Sequence, residues 1–137
     1  MFGPHLILDL YGCRKDKLRD KSYIKEFLEY LPNELGLTKI SEAVVNYYKT
    51  PTPGISGFIL ISESHITVHT FIEEGYAAID IFSCKEFDAD LATKIISETF
   101  EPKKLERKLL NRGVHYPMSL RKAIQRNLRE RVTYVVK

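Results

Sequence analysis

The stretch SGFILISESHITVHTFIEEGYAAIDIFSC, residues 56–84, decides the reading of this chain. Its β-branched and aromatic runs predict buried strands: Phe58 to Ile61, His65 to Phe71 and Tyr76 to Cys84, the last two joined by a turn at Glu73, Glu74 and Gly75. Alternation puts Ile66 and Val68 on one side of the middle strand and His65, Thr67, His69 and Phe71 on the other. Ser62, Glu63, Ser64, His65 and His69 interrupt these apolar runs. Each polar group buried without a partner costs about 1–3 kcal/mol, so a Glu-Ser-His tripeptide between strands marks a site rather than a core.

A hairpin turning about Glu74 pairs residues whose numbers sum to about 148, which sets Ser64 opposite Cys84 and His69 opposite Ile79. On that ruler His69 lies roughly 16 Å down its strand from Ser64, at about 3.3 Å per residue.

Upstream, Leu6 to Tyr11 predicts a buried strand. A helix capped by Asp20 or Ser22 follows, its apolar face formed by Ile24, Phe27, Leu28 and Leu31. Pro32 is expected to break or kink that helix and Gly36 to stop it. Thr38 to Tyr48 predicts another strand, and the stiff loop KTPTPG, 49–54, returns the chain to Ser56. Downstream, Asp88 opens a helix with Leu91, Ile95, Ile96 and Thr99 inward, closed by Pro102. Lys103 to Leu110 predicts a weak strand, and Met118 to Arg131 a last helix with an apolar seam of Leu120, Ile124 and Leu128. This order predicts one α+β domain, a two-layer sandwich whose antiparallel sheet is covered on one face by helices.

At 137 residues and 44% hydrophobic content the chain has the composition of a single globular domain. No run is apolar enough to span a bilayer and no basic leader precedes the first strand, so a cytoplasmic protein without a membrane partner is expected. Cys13 and Cys84 are too far apart in sequence to suggest a disulfide framework, and no zinc-ligand spacing is present, so no metal is expected. Cys13 reads as a small buried hydrophobe. Eleven basic residues follow Pro102, opposed only by Glu106 and Glu130. This basic extension, 102–137, has no aromatic residues among its helix arginines, so it predicts a solvated face and no nucleic-acid partner.

The segment ISESHITVHTFIEEGYAAIDIFSC resembles the prokaryotic type of S-adenosylmethionine decarboxylase, a self-processing pyruvoyl family. Gly3 to Leu6, Tyr11 to Cys13 and Thr52 to Gly57 resemble its other motifs, so the likeness covers roughly the first hundred residues. It implies cleavage between Glu63 and Ser64 into a beta chain, 1–63, and an alpha chain, 64–137, with Ser64 becoming a covalent pyruvoyl group that serves as electron sink. It further implies His69 as processing base and Cys84 as the acid that protonates carbon after carbon dioxide leaves. Ser56, Phe71 and Glu73 would line the substrate site, Glu73 toward the ribose hydroxyls.

Phe71 and Ile72 stand where family members carry Trp and Pro. Thr50 stands where an aromatic residue would pack on the adenine, with Tyr48 close enough to substitute. The resemblance thus implies decarboxylation of S-adenosylmethionine for polyamine synthesis, by a homodimer with shared active sites. The alternatives are a relative acting on arginine or ornithine and a non-catalytic homologue.

Overall fold

The computed structural model describes residues 3–115; the helix expected at Met118 to Arg131 lies outside them. The described elements run β1 (Gly3–Tyr11), α1 (Lys15–Leu18), α2 (Lys21–Glu34), β2 (Val44–Tyr48), β3 (Gly54–Ile61), β4 (Ser64–Phe71), β5 (Tyr76–Ser83), α3 (Ala89–Phe100) and β6 (Lys104–Arg112). The six strands form one sheet in the order β2-β3-β4-β5-β1-β6, every described pairing antiparallel.

Strand alternation builds the core. Leu6, Leu8 and Leu10 of β1, Ile55, Ile59 and Ile61 of β3, Ile66 and Val68 of β4, and Ala77, Ile79 and Ile81 of β5 are buried with the apolar faces of the helices. From α2 come Ile24, Phe27, Leu28 and Leu31, at the spacing expected from sequence, and the Asp20 carboxylate accepts the Tyr23 N–H at 3.0 Å as its N-cap. The opposite sheet face carries the alternate set, including Ser56, Phe58 and Leu60 of β3 and His65, Thr67, His69 and Phe71 of β4. None of these is fully buried.

Three expectations are corrected. Pro32 does not break α2, which runs through it to Glu34 with Leu35 as its C-cap, just before Gly36, where the sequence places the stop; a proline in the last turn forfeits its own N–H bond without unravelling the turns before it. The strand expected over Thr38 to Tyr48 shrinks to β2. Before it, Lys39 still bridges Ile61 and the Ile40 N–H donates to the Leu60 carbonyl at 3.0 Å, but then the Ser41 hydroxyl takes the Leu60 N–H at 3.1 Å and the Glu29 carboxylate takes the Ala43 N–H at 2.8 Å, so side chains interrupt the ladder between the bridge and β2. In α3 the buried residues are Ala92, Ile96 and Phe100, with Ile95 partly buried, whereas Leu91 is exposed. The Phe100 ring meets Phe27 edge-on, centroids 5.2 Å apart, and this contact sets the helix rotation.

Candidate active site

The β4–β5 hairpin determines where each candidate residue lies. Its turn runs from Ile72 to Gly75, closed by the Gly75 N–H on the Ile72 carbonyl at 3.2 Å, with Gly75 at φ +65°, a conformation glycine adopts without steric cost. Four turn residues, not three, separate Phe71 from its partner Tyr76. Paired numbers therefore sum to 147: Ser64 faces Ser83 and His69 faces Ala78. The expected pairing of Ser64 with Cys84 is corrected by one position.

At the open end of the hairpin, Ser62 and Glu63 form the turn from β3 into Ser64. The Ser62 N–H donates to the Thr38 carbonyl at 2.8 Å, and the Glu63 carboxylate accepts the Thr38 N–H at 3.1 Å. Partial burial works against ionisation of Glu63, but the Thr38 N–H, the Ser62 hydroxyl and Lys85 together hold its carboxyl below the usual range. The Glu63 carbonyl accepts the backbone N–H of Cys84 at 2.9 Å. Cys84, just beyond β5, is exposed with a free thiol. The corrected register still leaves Glu63, Ser64 and Cys84 side by side.

The remaining candidates gather toward the other end. Ser56 pairs with His69 across β3 and β4, its Oγ 2.9 Å from His69 Nδ1, which leaves Nε2 for another group. Phe71 stacks on Tyr76 with centroids 5.3 Å apart, Tyr76 stacks on Tyr11 at 5.3 Å, and Tyr48 meets Phe71 edge-on at 6.3 Å. The Tyr48 hydroxyl donates to the Thr70 carbonyl at 2.6 Å. Burial, then a 2.6 Å hydrogen bond to Asp9, pushes the Tyr76 hydroxyl up to about 12. Glu73 sits exposed in the turn. Seven residues of β4 separate Ser64 from Phe71, roughly 23 Å at about 3.3 Å per residue. One chain thus carries two groups of candidates at opposite ends of a strand.

A polar cluster not anticipated from sequence sits between them. Asp80 Oδ2 accepts from His5 Nε2 at 2.7 Å and His65 Nε2 at 3.2 Å, while Thr67 donates to Oδ1. Burial opposes the Asp80 charge, but these three donors bring its carboxyl below the ordinary range. The three ligand-type atoms of His5, His65 and Asp80 lie within 4.8 Å of one another. Arg112 Nη1 stands 3.5 Å from His5 Nδ1, and a guanidinium only donates. With Arg112 able only to donate toward Nδ1, the Nε2 of His5 is the nitrogen that faces Asp80, and the cluster forms an internal hydrogen-bond network. Alternation alone sets Thr67 and Asp80 on the open face; pairing them requires the register, which the sequence reading missed by one.

The other cysteine reads as expected. Cys13 is buried, and burial pushes its thiol up to about 11.

Comparison with known proteins first defines a class. The chain is similar to the crystal structure of the adenosylmethionine decarboxylase from Aquifex aeolicus, with a TM-score of 0.70 and 34% identity over 86% of this chain and 96% of that one. It is 41% identical over 112 residues to an S-adenosylmethionine decarboxylase proenzyme of Clostridium botulinum, covering 81% of this chain and 94% of that protein. A proenzyme of the same name from Geobacillus kaustophilus is 38% identical over 121 residues, 88% of this chain and 94% of its own. The family model described as S-adenosylmethionine decarboxylase matches residues 4–113, carrying the likeness past Pro102 through β6. This chain belongs to the S-adenosylmethionine decarboxylase family.

Proposed function

We infer that the chain is a proenzyme that cuts itself between Glu63 and Ser64 and then decarboxylates S-adenosylmethionine, yielding the aminopropyl donor for polyamine synthesis. The observation that carries this reading is the grouping of Glu63, Ser64 and Cys84 at the open end of the hairpin, within a chain of that family.

In the first step Ser64 Oγ adds to the Glu63 carbonyl carbon, the peptide C–N bond breaks and an ester forms, the hydroxyl proton passing to the freed amine. A base then removes the Ser64 α-proton, and the Cβ–Oγ bond breaks with release of the Glu63 carboxylate. Water replaces the nitrogen as ammonia, leaving a pyruvoyl group at the start of the 64–137 chain. The residues fit such a group: Ser64 begins a strand directly after a turn, beside an exposed thiol. Once formed, the pyruvoyl carbonyl would supply the electron sink for loss of carbon dioxide. Cys84 is the acid that returns a proton to carbon, and its exposure leaves the thiol free to approach substrate.

His69 is the processing base. Its Nδ1 is held at Ser56, but about 16 Å of its own strand lies between it and Ser64, whereas proton transfer needs about 3 Å or one bridging water. A second copy resolves the conflict. The open sheet face carries His69, Ser56 and Phe71 together with exposed Val44, Phe58 and Leu60, so this face is where a two-fold partner would lie. Phe71 and Tyr48 then give aromatic surface for the adenine, and Glu73 a carboxylate for the ribose. No described helix is long and apolar enough to cross a membrane; we assign the enzyme to the cytoplasm.

Intact-mass analysis of the purified protein, with carbon dioxide release from S-adenosylmethionine, arginine and ornithine, tests the reading. Two fragments, the larger with a blocked N-terminus, and turnover of S-adenosylmethionine alone are expected. An uncut chain, or turnover of arginine instead, would overturn it.

A further inference from the structure

The Ser83–Cys84 peptide is restrained from three directions. Its N–H, that of Cys84, donates to the Glu63 carbonyl at 2.9 Å. Behind it the Ser83 hydroxyl, fully buried, donates to the Lys85 carbonyl at 2.7 Å and accepts the Lys85 N–H at 2.9 Å, closing a local turn with one side chain. On a third side β1 begins at Gly3, where an added Cβ would fall 1.9 Å from the Ser83 carbonyl oxygen and 2.7 Å from Cys84 Cα. The peptide thus cannot shift toward β1 or unwind past Lys85 without losing these contacts.

Resting on the self-cleavage reading above, we propose that Ser83 is a positioning residue for the acyl shift: its hydroxyl holds the Cys84 N–H on the Glu63 carbonyl oxygen. When Ser64 Oγ adds to that carbonyl, the C=O electron pair moves onto the oxygen. It returns as the C–N bond breaks, and a fixed N–H donor stabilises the charge in between. The backbone amide of Cys84 thereby serves cleavage while its thiol serves the later protonation, so the two functions of one residue separate on mutation. Gly3 contributes by letting β1 pass close enough to confine the peptide.

The test follows cleavage of freshly translated chains over time, with and without hydroxylamine, which cuts an accumulated ester. Ser83→Ala and the similarly sized Ser83→Cys remove or weaken the turn hydrogen bonds. Both are expected to slow cleavage at least about tenfold, since removing an oxyanion donor outright costs about 10²–10³. Hydroxylamine should not restore the rate, because the slowed step precedes the ester. Ser83→Thr, which keeps a hydroxyl at that position, should be cut at the wild-type rate. A folded Ser83→Ala or Ser83→Cys chain cut at the wild-type rate would overturn the proposal. So would rescue by hydroxylamine, or a folded Ser83→Thr chain as slow as the alanine variant. A wild-type chain that is never cut defeats the self-cleavage reading instead, so the two failures are distinct.

Discussion

Ser64 stands directly across the β4–β5 ladder from Ser83, with Cys84 one residue beyond the strand and its N–H on the Glu63 carbonyl. A single step of register thus separates the residue that would be consumed from the thiol that would act on its product. Cys84 lies just past β5 with its N–H held by the Glu63 carbonyl, while its side chain remains exposed.

The first prediction uses that separation. Ser64→Ala should fold and remain one chain, because no other hydroxyl replaces the attacking Oγ at that bond. Cys84→Ala should be cut into two chains yet turn over S-adenosylmethionine about 10²–10⁴ times more slowly, the range for losing a positioned acid. Intact mass reads the first property and carbon dioxide release the second; a cut Ser64→Ala chain contradicts the assignment.

The two thiols should differ in reactivity. Burial pushes the Cys13 thiol up to about 11, so its reactive thiolate is scarce near neutral pH, whereas Cys84 is exposed. Brief iodoacetamide treatment of the native protein at pH 7.5 should label Cys84 and spare Cys13 until denaturant is added. Peptide mass mapping that found Cys13 labelled in the folded protein would remove it from the core.

Asp80 should contribute stability that fades with acid. Its folded carboxyl is held below its ordinary range by Thr67, His5 and His65 despite burial, so its contribution is present above the unfolded carboxylate value, 3.8, and lost as pH falls through the lower folded value. At pH 7, Asp80→Asn should cost about 1–3 kcal/mol, because the two histidines and Thr67 lose a charged acceptor. The gap in Tm from wild type should narrow below pH 4. A gap that stays constant from pH 7 to pH 3 would show that the carboxylate charge is not what matters.

The sheet was legible because its strands alternate cleanly, as with Ile66 and Val68 against His65 and Thr67, and because Asp20 and Asp88 cap their helices locally. The exact register was not, since it depends on whether Gly75 closes a turn of three or four residues, which is settled by one backbone bond. The Asp80 cluster was hidden for a related reason: His5 reaches Asp80 from 75 residues away through the β1–β5 pairing. Leu91 misled the reading of α3 because Leu91 and Phe100 are both apolar, and the contact of Phe100 with Phe27 decides which turns inward.

The last prediction concerns the two groups of candidates that one chain holds apart. Glu63, Ser64 and Cys84 lie at one end of β4, whereas Ser56, His69 and Phe71 lie toward the other, on a sheet face that no described helix covers. If His69 serves the Ser64 of a second copy, neither a Ser64→Ala nor a His69→Ala homodimer should process itself, but a hybrid contains one intact Ser64 facing an intact partner His69. Mixing the two variants under conditions of proven subunit exchange should therefore yield cutting confined to the His69→Ala chains, up to the fraction present as hybrids. Isotope labelling of one variant identifies which chain is cut. A mixture that exchanges subunits and stays intact would place the processing base within the same chain, and cutting of the Ser64→Ala chains would mean that Ser64 is not the nucleophile.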